Sequence, residues 1–288
     1  MKQRLGGAME TIALGMDGMT LDGLVGVARQ GAHVALTPGA EERIRRAWQL
    51  VTRWVDEERT VYGVTTGFGA LSDVTISKND TRQLQLNILK SHAVGVGNPL
   101  APDLVRAMMA LRLKDFARGN AGVRTETAAA LIRLLNAGVI PVVPEKGSVG
   151  ASGDLVPLAH MGLVLIGEGE AFLNGNRVSG REALEACGLA PLNLEAGEGL
   201  ALINGTQAMT AIGGLAVYDA ACLARHTDLA AAMSLEVLMG SKTEFDPRIH
   251  QMRPHPGQAI AAENMDRIIR NSEIISSHRD CKRVQDAY

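Results

Sequence analysis

The sequence predicts a mainly α protein, with a mixed α+β part over residues 1–206 and the start of a long-helix region over 207–288. Three observations lead there. Of the 288 residues, 46% are hydrophobic but only 3% aromatic, so the core is built from Ala, Leu, Ile, Val and Met, a composition that suits close-packed helices. Short β-prone pieces and glycine-rich loops interrupt the chain before residue 206. Beyond it the pattern is almost wholly helical, over 207 to about 240 and again over 258 to 275.

In chain order, β-prone pieces at 11–14 and 33–36 flank a short helix with Thr20 or Asp22 as its cap. A stronger helix runs from Pro38 to about Glu58. Its apolar residues Ile44, Ala47, Trp48, Val51, Trp54 and Val55 recur at three and four, which predicts one buried stripe and makes both tryptophans core residues. Residues 60–76 form a Gly- and Thr-rich loop without helical period, and a loop that long inside a domain is usually functional or mobile. Helices are predicted at about 79–92, 102–118 and 124–137, the last stopped by Gly138 and Pro141. Asn174-Gly175, within 171–178, suits a type I′ hairpin turn. No repeat, low-complexity tract or clean linker divides the chain.

Bulk properties remove several function classes. The formal net charge is -2, from 29 Lys+Arg against 31 Asp+Glu, without a long basic block. That points away from nucleic acid and from anionic membrane surfaces. The N-terminal Met1-Lys2-Gln3-Arg4-Leu5-Gly6-Gly7 has positive charge but no apolar segment behind it, so no secretion signal is read and cytoplasm is the default. The most apolar long stretch, 208–224, contains Asp219 and several glycines, and is read as a buried helix, too short and too polar for a clear membrane span. Cys187, Cys222 and Cys281 match neither a disulfide framework nor metal spacing. His250 and His255 are too loosely spaced for a zinc helix, so no metal is assigned.

The most informative segment is Gly147-Ser148-Val149-Gly150-Ala151-Ser152-Gly153-Asp154-Leu155-Val156-Pro157-Leu158-Ala159-His160. If the Gly153 nitrogen attacks the Ala151 carbonyl and two waters leave, the three residues close into a five-membered imidazolone. Ser152 then becomes an exocyclic methylidene, an electrophile that no ordinary side chain provides. Gly supplies the unhindered nitrogen, Ala avoids crowding at the carbonyl, and Ser carries the hydroxyl that is eliminated. A bare Ala-Ser-Gly is otherwise a loop. The segment is no nucleophile elbow, because Asp154 stands where Gly-x-Ser-x-Gly needs its last glycine, and it lacks the Gly-Lys-Ser/Thr ending of a phosphate loop.

In that context the chain resembles the aromatic amino acid ammonia-lyases, and most of all their histidine-specific members. Further motifs carry the likeness: Val61-Tyr62-Gly63-Val64-Thr65-Thr66-Gly67-Phe68-Gly69, Leu89-Lys90-Ser91-His92-Ala93-Val94-Gly95-Val96-Gly97, and Gly199-Leu200-Ala201-Leu202-Ile203-Asn204-Gly205-Thr206. They continue through Phe245-Asp246-Pro247-Arg248-Ile249-His250, Arg253-Pro254-His255-Pro256-Gly257-Gln258 and Arg283-Val284-Gln285-Asp286-Ala287-Tyr288. The resemblance implies a fumarase/aspartase-like fold, in which long helices bundle across the subunits of a homotetramer with shared active sites. It implies 4-methylidene-imidazol-5-one (MIO) formed from Ala151, Ser152 and Gly153, and deamination of L-histidine to trans-urocanate and ammonia. Such lyases continue well past residue 288, so the chain is expected to be an N-terminal part, whose own activity is an open question.

The family's roles carry over residue by residue. Removing ammonia from an amino acid needs an electrophile for the amine and a base for the weakly acidic β-hydrogen. Tyr62 is the candidate base, against the ordinary reading of a loop tyrosine capping a core. A phenol titrates near pH 10 in water, so a tyrosine base needs a positive potential beside it, such as helix N-termini. Ser91-His92 is the pair that faces the substrate ring, Ser-His being the histidine-specific pattern. Some tyrosine aminomutases share it, which keeps a tyrosine or phenylalanine lyase or aminomutase as the alternative. Asn204 donates to the imidazolone oxygen, or ordinarily caps the next helix. Asp154 is expected to cap the helix that begins at Leu155 and to assist cyclisation. Gln285 and Tyr288 match pocket positions that reach a neighbouring subunit's site. Leu113-Lys114-Asp115-Phe116-Ala117 replaces a stretch that usually carries Asn, and Ala121 stands where Ser is common.

Overall fold

A computed structural model of the chain describes residues 10–67, 78–149, 153–282 and 285. Contacts divide the chain into two compact units, Met1–Leu215 and Ala216–Tyr288.

In the first unit, β1 (Thr11–Leu14) and β2 (His33–Leu36) pair in parallel, Thr11 opposite His33. Helix α1 (Leu21–Arg29) connects them, with the Thr20 hydroxyl accepting from the Gly23 amide at 3.1 Å. Helix α2 (Pro38–Asp56) starts under a Thr37 cap, with Pro38 already holding the helical φ. Its expected stripe is only partly covered. Ile44 and Val51 are buried, whereas Ala47, Trp48, Trp54 and Val55 are half-buried. The tryptophans are therefore not core residues. Trp48 lies under the Arg124 guanidinium and Trp54 under that of Arg59, each at 6.0 Å, where an aromatic face attracts a cation.

Helix α3 (Lys78–His92) is followed by β3 (Val96–Pro99), α4 (Pro102–Phe116) and α5 (Thr125–Asn136). Gly138 ends α5 with φ 74°. The short strands β4 (Ile140–Pro141) and β5 (Pro144–Lys146) come next, then α6 (Leu155–Leu165). The hairpin of β6 (Glu170–Leu173) and β7 (Asn176–Ser179) turns at Asn174 and Gly175, both with positive φ as a type I′ turn requires. Helix α7 (Gly180–Ala186) opens on a capping box between Ser179 and Glu182, and α8 (Glu198–Ile203) leads to α9 (Gln207–Val237). The pieces β3, β4 and β5 are not evident in the sequence, because two to four residues rich in Gly and Pro carry no alternation; β3 pairs with β5 and β4 with β6.

The core of this unit is aliphatic, with Met108, Leu113, Leu131, Leu134 and Leu158 all fully buried. Helices α3, α6 and α8 pack on one another. That junction brings three segments together: α3 ends at His92, α6 follows the tripeptide, and α8 is capped by Asn204.

The second unit holds the later part of α9, a 3-10 turn at Thr243–Phe245, α10 (Pro247–Gln251), α11 (Pro256–Ile269) and α12 (Glu273–Ser277). Its small core is Ala232, Met265, Ile269 and Ile275, with Leu235 and Phe245 packed against it. Asp246 caps α10 through the Arg248 amide, and the Arg248 guanidinium holds its carboxyl down at about 2. Taken together, α8 and α9 (198–237) are long and apolar enough to cross a membrane by length and composition alone. A soluble protein's core helix passes the same test.

Candidate active site

Gly153 has φ 140°, and a Cβ added there would overlap the carbonyl oxygen of Gly205. Only glycine fits this backbone, and the next amide, that of Asp154, donates to the same Gly205 oxygen at 2.5 Å. The end of the tripeptide therefore lies directly against the Asn204-Gly205 turn, with Gly205 52 positions along the chain yet in contact. The glycine that the cyclisation chemistry demands is also the residue the packing demands. Ala151 and Ser152 lie outside the described residues.

Asp154 stands at the N-cap position of α6, but its carboxylate does not cap that helix. Oδ1 accepts from the Ser148 hydroxyl and Oδ2 from the Met209 amide, each at 2.8 Å. The side chain instead serves one first-turn donor of α9, stapling the tripeptide loop to the helix after Asn204. The expected cap is thus corrected to a bridge between two segments.

Asn204 is not the cap of α9 either. It is the C-terminal cap of α8, its amide donating to Leu200 O at 2.9 Å, and it is exposed. Its carbonyl accepts from Arg112 Nη1 at 3.0 Å. Asn204 and Tyr62 line one cleft of about 630 Å³, together with Trp54, Arg112, Gly119 and Leu200. Tyr62 is 57% exposed, in a turn that Thr65 and Thr66 hold from within: Thr65 Oγ1 accepts from the Val61 amide at 2.9 Å, and Thr66 Oγ1 from the Gly63 amide at 3.3 Å. At that exposure the ring does not close over a core.

His92 ends α3, half-buried, with Nδ1 2.8 Å from Ile88 O and 3.1 Å from the Ser91 hydroxyl. Nδ1–H donating to that carbonyl leaves Nε2 as the acceptor. Neither Ser91 nor His92 lines the cleft of Tyr62 and Asn204. The next glycine ties this segment to the tripeptide's helix: the Gly95 amide donates to His160 Nε2 at 3.0 Å. Burial lowers the His160 pKa from 6.5, consistent with a neutral accepting ring. Gln285 is exposed in the second unit, and Tyr288 lies outside the described residues.

Sequence reasoning missed three polar residues that build this region. Arg112 is 2% exposed and spans α8 and the turn after it. Glu198 is fully buried and accepts from Arg124 Nη2 at 2.7 Å, Thr127 Oγ1 at 2.6 Å and the Glu195 amide at 2.9 Å. Gln85 of α3, also fully buried, accepts from the Gly199 amide at 2.9 Å. Arg112 and Gln85 each stand between two leucines, and Glu198 opens α8 as an ordinary helix-start carboxylate, so only spatial partners reveal what they hold. The second unit has a separate cleft of about 920 Å³, lined in part by Asp246, His250, His255, Glu263 and Arg270. Among the described residues, no three His, Cys, Asp or Glu side chains are grouped to hold a metal.

The chain is thus mainly helical, with Gly153 pressed onto the Asn204-Gly205 turn. The aromatic amino acid lyase family model matches residues 19–288, and the chain belongs to that family. Histidine ammonia-lyase of Alkaliphilus oremlandii is 52% identical over 280 residues, covering 97% of this chain and 55% of that protein. The crystal structure of histidine ammonia-lyase from Trypanosoma cruzi superposes with a TM-score of 0.83 at 37% identity, covering 89% of this chain and 49% of that one. Tyrosine aminomutase from Streptomyces globisporus superposes with a TM-score of 0.85 at 32% identity, covering 96% and 54%. The chain spans about half the length of the relatives it matches.

Proposed function

We propose that the protein removes ammonia from L-histidine without oxidation, yielding trans-urocanate. The apposition of Gly153 and Gly205 carries this reading, because it sets Asn204 beside the segment whose closure makes the electrophile. Ala151, Ser152 and Gly153 would form 4-methylidene-imidazol-5-one, and the steric demand at Gly153 fits that group. Once closed, the ring supplies an electrophilic methylene for the amine. Tyr62 takes the β-proton in the cleft it shares with Asn204. The Asn204 amide would donate to the ring oxygen and so strengthen the electrophile. Ser91 and His92 hold the substrate imidazole, with His92 Nε2 as the exchangeable hydrogen-bond site. Gln285 and Tyr288 complete the pocket from a neighbouring subunit.

In this reading 1–206 is the MIO-bearing domain and 207–288 begins a helical bundle, in a cytoplasmic homotetramer with shared sites. The apolar side chains on the outer face of α9, among them Leu223, Met233 and Val237, are then helix contacts between subunits and not a lipid-facing surface. The relatives' names and the Ser-His pair at 91–92 favour histidine. The superposition on tyrosine aminomutase supports a second reading, a lyase or aminomutase for tyrosine or phenylalanine. A third is an assembly module silent by itself. The test incubates the 288-residue chain, alone and extended to its relatives' length, with L-histidine, L-tyrosine and L-phenylalanine. Urocanate absorbance supports the proposal. Coumarate, cinnamate or a β-amino acid would move it to the second reading, and turnover only in the extended form would make the short chain the module.

A further inference from the structure

Arg112 has the surroundings of a residue placed for a purpose. Burying a guanidinium is costly unless hydrogen bonds replace its hydration. Here Nη1 donates to Asn204 O at 3.0 Å and to Gln207 Oε1 at 2.9 Å, Nη2 donates to Ala201 O, and the Asp115 carboxylate lies 3.2 Å away. The group also lies over the Phe116 ring at 5.0 Å. Burial pulls its pKa down to about 10, partly opposed by Asp115, which still leaves it charged at neutral pH. Its two carbonyl partners belong to the last turn of α8 and its cap, where unpaired C=O groups and the helix dipole favour a cation.

The arginine also bounds the next residue. A Cβ on Gly205 would overlap both Arg112 Nη1 and Gln207 Oε1, while the Gly205 carbonyl meets Gly153 on its other side. Arg112 backs the Asn204-Gly205 turn, and the turn in turn backs the tripeptide. We infer that Arg112 is a positioning residue that holds this turn against Gly153, so that the Asn204 amide and the Gly153 nitrogen are set for ring closure and turnover. This rests on the function proposed above. Lysine replaces it only in part, because a single ammonium keeps the charge but does not span the Ala201 and Asn204 carbonyls and the Gln207 amide oxygen as the planar fork does.

The test compares the full-length parent with Arg112→Lys, Arg112→Gln and Gly205→Ala. Intact mass reports ring closure as the loss of two waters, circular dichroism reports folding, and kinetics separate kcat from KM. In folded variants we expect unclosed chain to appear and kcat to fall about tenfold or more, as misplacement of a reacting group predicts. KM stays near the parent's, since Arg112 need not touch substrate, and Arg112→Lys retains more activity than Arg112→Gln. Folded variants that close fully and keep the parent's kcat overturn the inference alone. A parent with the unmodified mass of its sequence overturns the function proposal, and this one with it. Should Arg112→Gln not fold, Gln207→Ala removes one acceptor and leaves the arginine in place. A lower kcat at unchanged KM then supports the inference, and the parent's kcat overturns it.

Discussion

The Gly95 amide donates to His160 Nε2 at 3.0 Å, across 65 positions of sequence. That bond joins the segment carrying Ser91 and His92 to the helix that follows the tripeptide, and it exists only while the imidazole is neutral. Burial lowers the His160 pKa below 6.5, so below pH 6.5 the unfolded chain takes up the proton before the folded one does. The unfolded state then binds more protons, and stability falls as pH drops from about 6.5 through the lower folded value. Thermal unfolding between pH 5 and 8 should show this loss. In His160→Leu that contribution to the slope should vanish, with stability at pH 8 lower by about 1 kcal/mol for the missing hydrogen bond.

Gly153→Ala tests the steric half of the glycine requirement. The positive φ and the overlap with Gly205 O should cost about 2 kcal/mol or more. Chemical denaturation measures it, and a midpoint equal to the parent's would contradict the packing described.

Tyr62→Phe should separate chemistry from stability. The side chain is 57% exposed, so the folding free energy should move by no more than about 1 kcal/mol. Turnover should fall about 100-fold or more for loss of a general base. A phenylalanine variant with parental kcat would remove Tyr62 from the mechanism.

Glu198→Gln leaves the volume but removes a fully buried charge, which the partly exposed Arg124 meets at 2.7 Å. Arg124 keeps some solvent, so the loss is that of charge-assisted hydrogen bonds, about 1.5–3 kcal/mol. The expected result is a lower unfolding midpoint together with a smaller fraction of folded protein.

Most helices were legible in the sequence, because apolar spacing and caps are local properties. The Asn-Gly hairpin was legible for the same reason. Ala151-Ser152-Gly153, Tyr62 and Asn204 stand out in the sequence because the proposed chemistry asks for particular residue types in a recognisable order. The tryptophans misled, since an apolar residue at the right spacing need not face a neighbour that covers it. Asp154 misled too. Its position suggests a cap, yet the carboxylate found two donors elsewhere.

By itself, then, the order of residues established the helical elements, the chemistry open to Ala151-Ser152-Gly153, and the kinship with ammonia-lyases. Tertiary structure alone decided that Gly153 abuts Gly205, that Arg112 meets Asn204 across 92 positions, and that Glu198 is buried with Arg124. The physical reason is that a polar group away from water takes whichever partner the packed helices bring within about 3 Å. Such partners are distant in the chain, where no local pattern marks them.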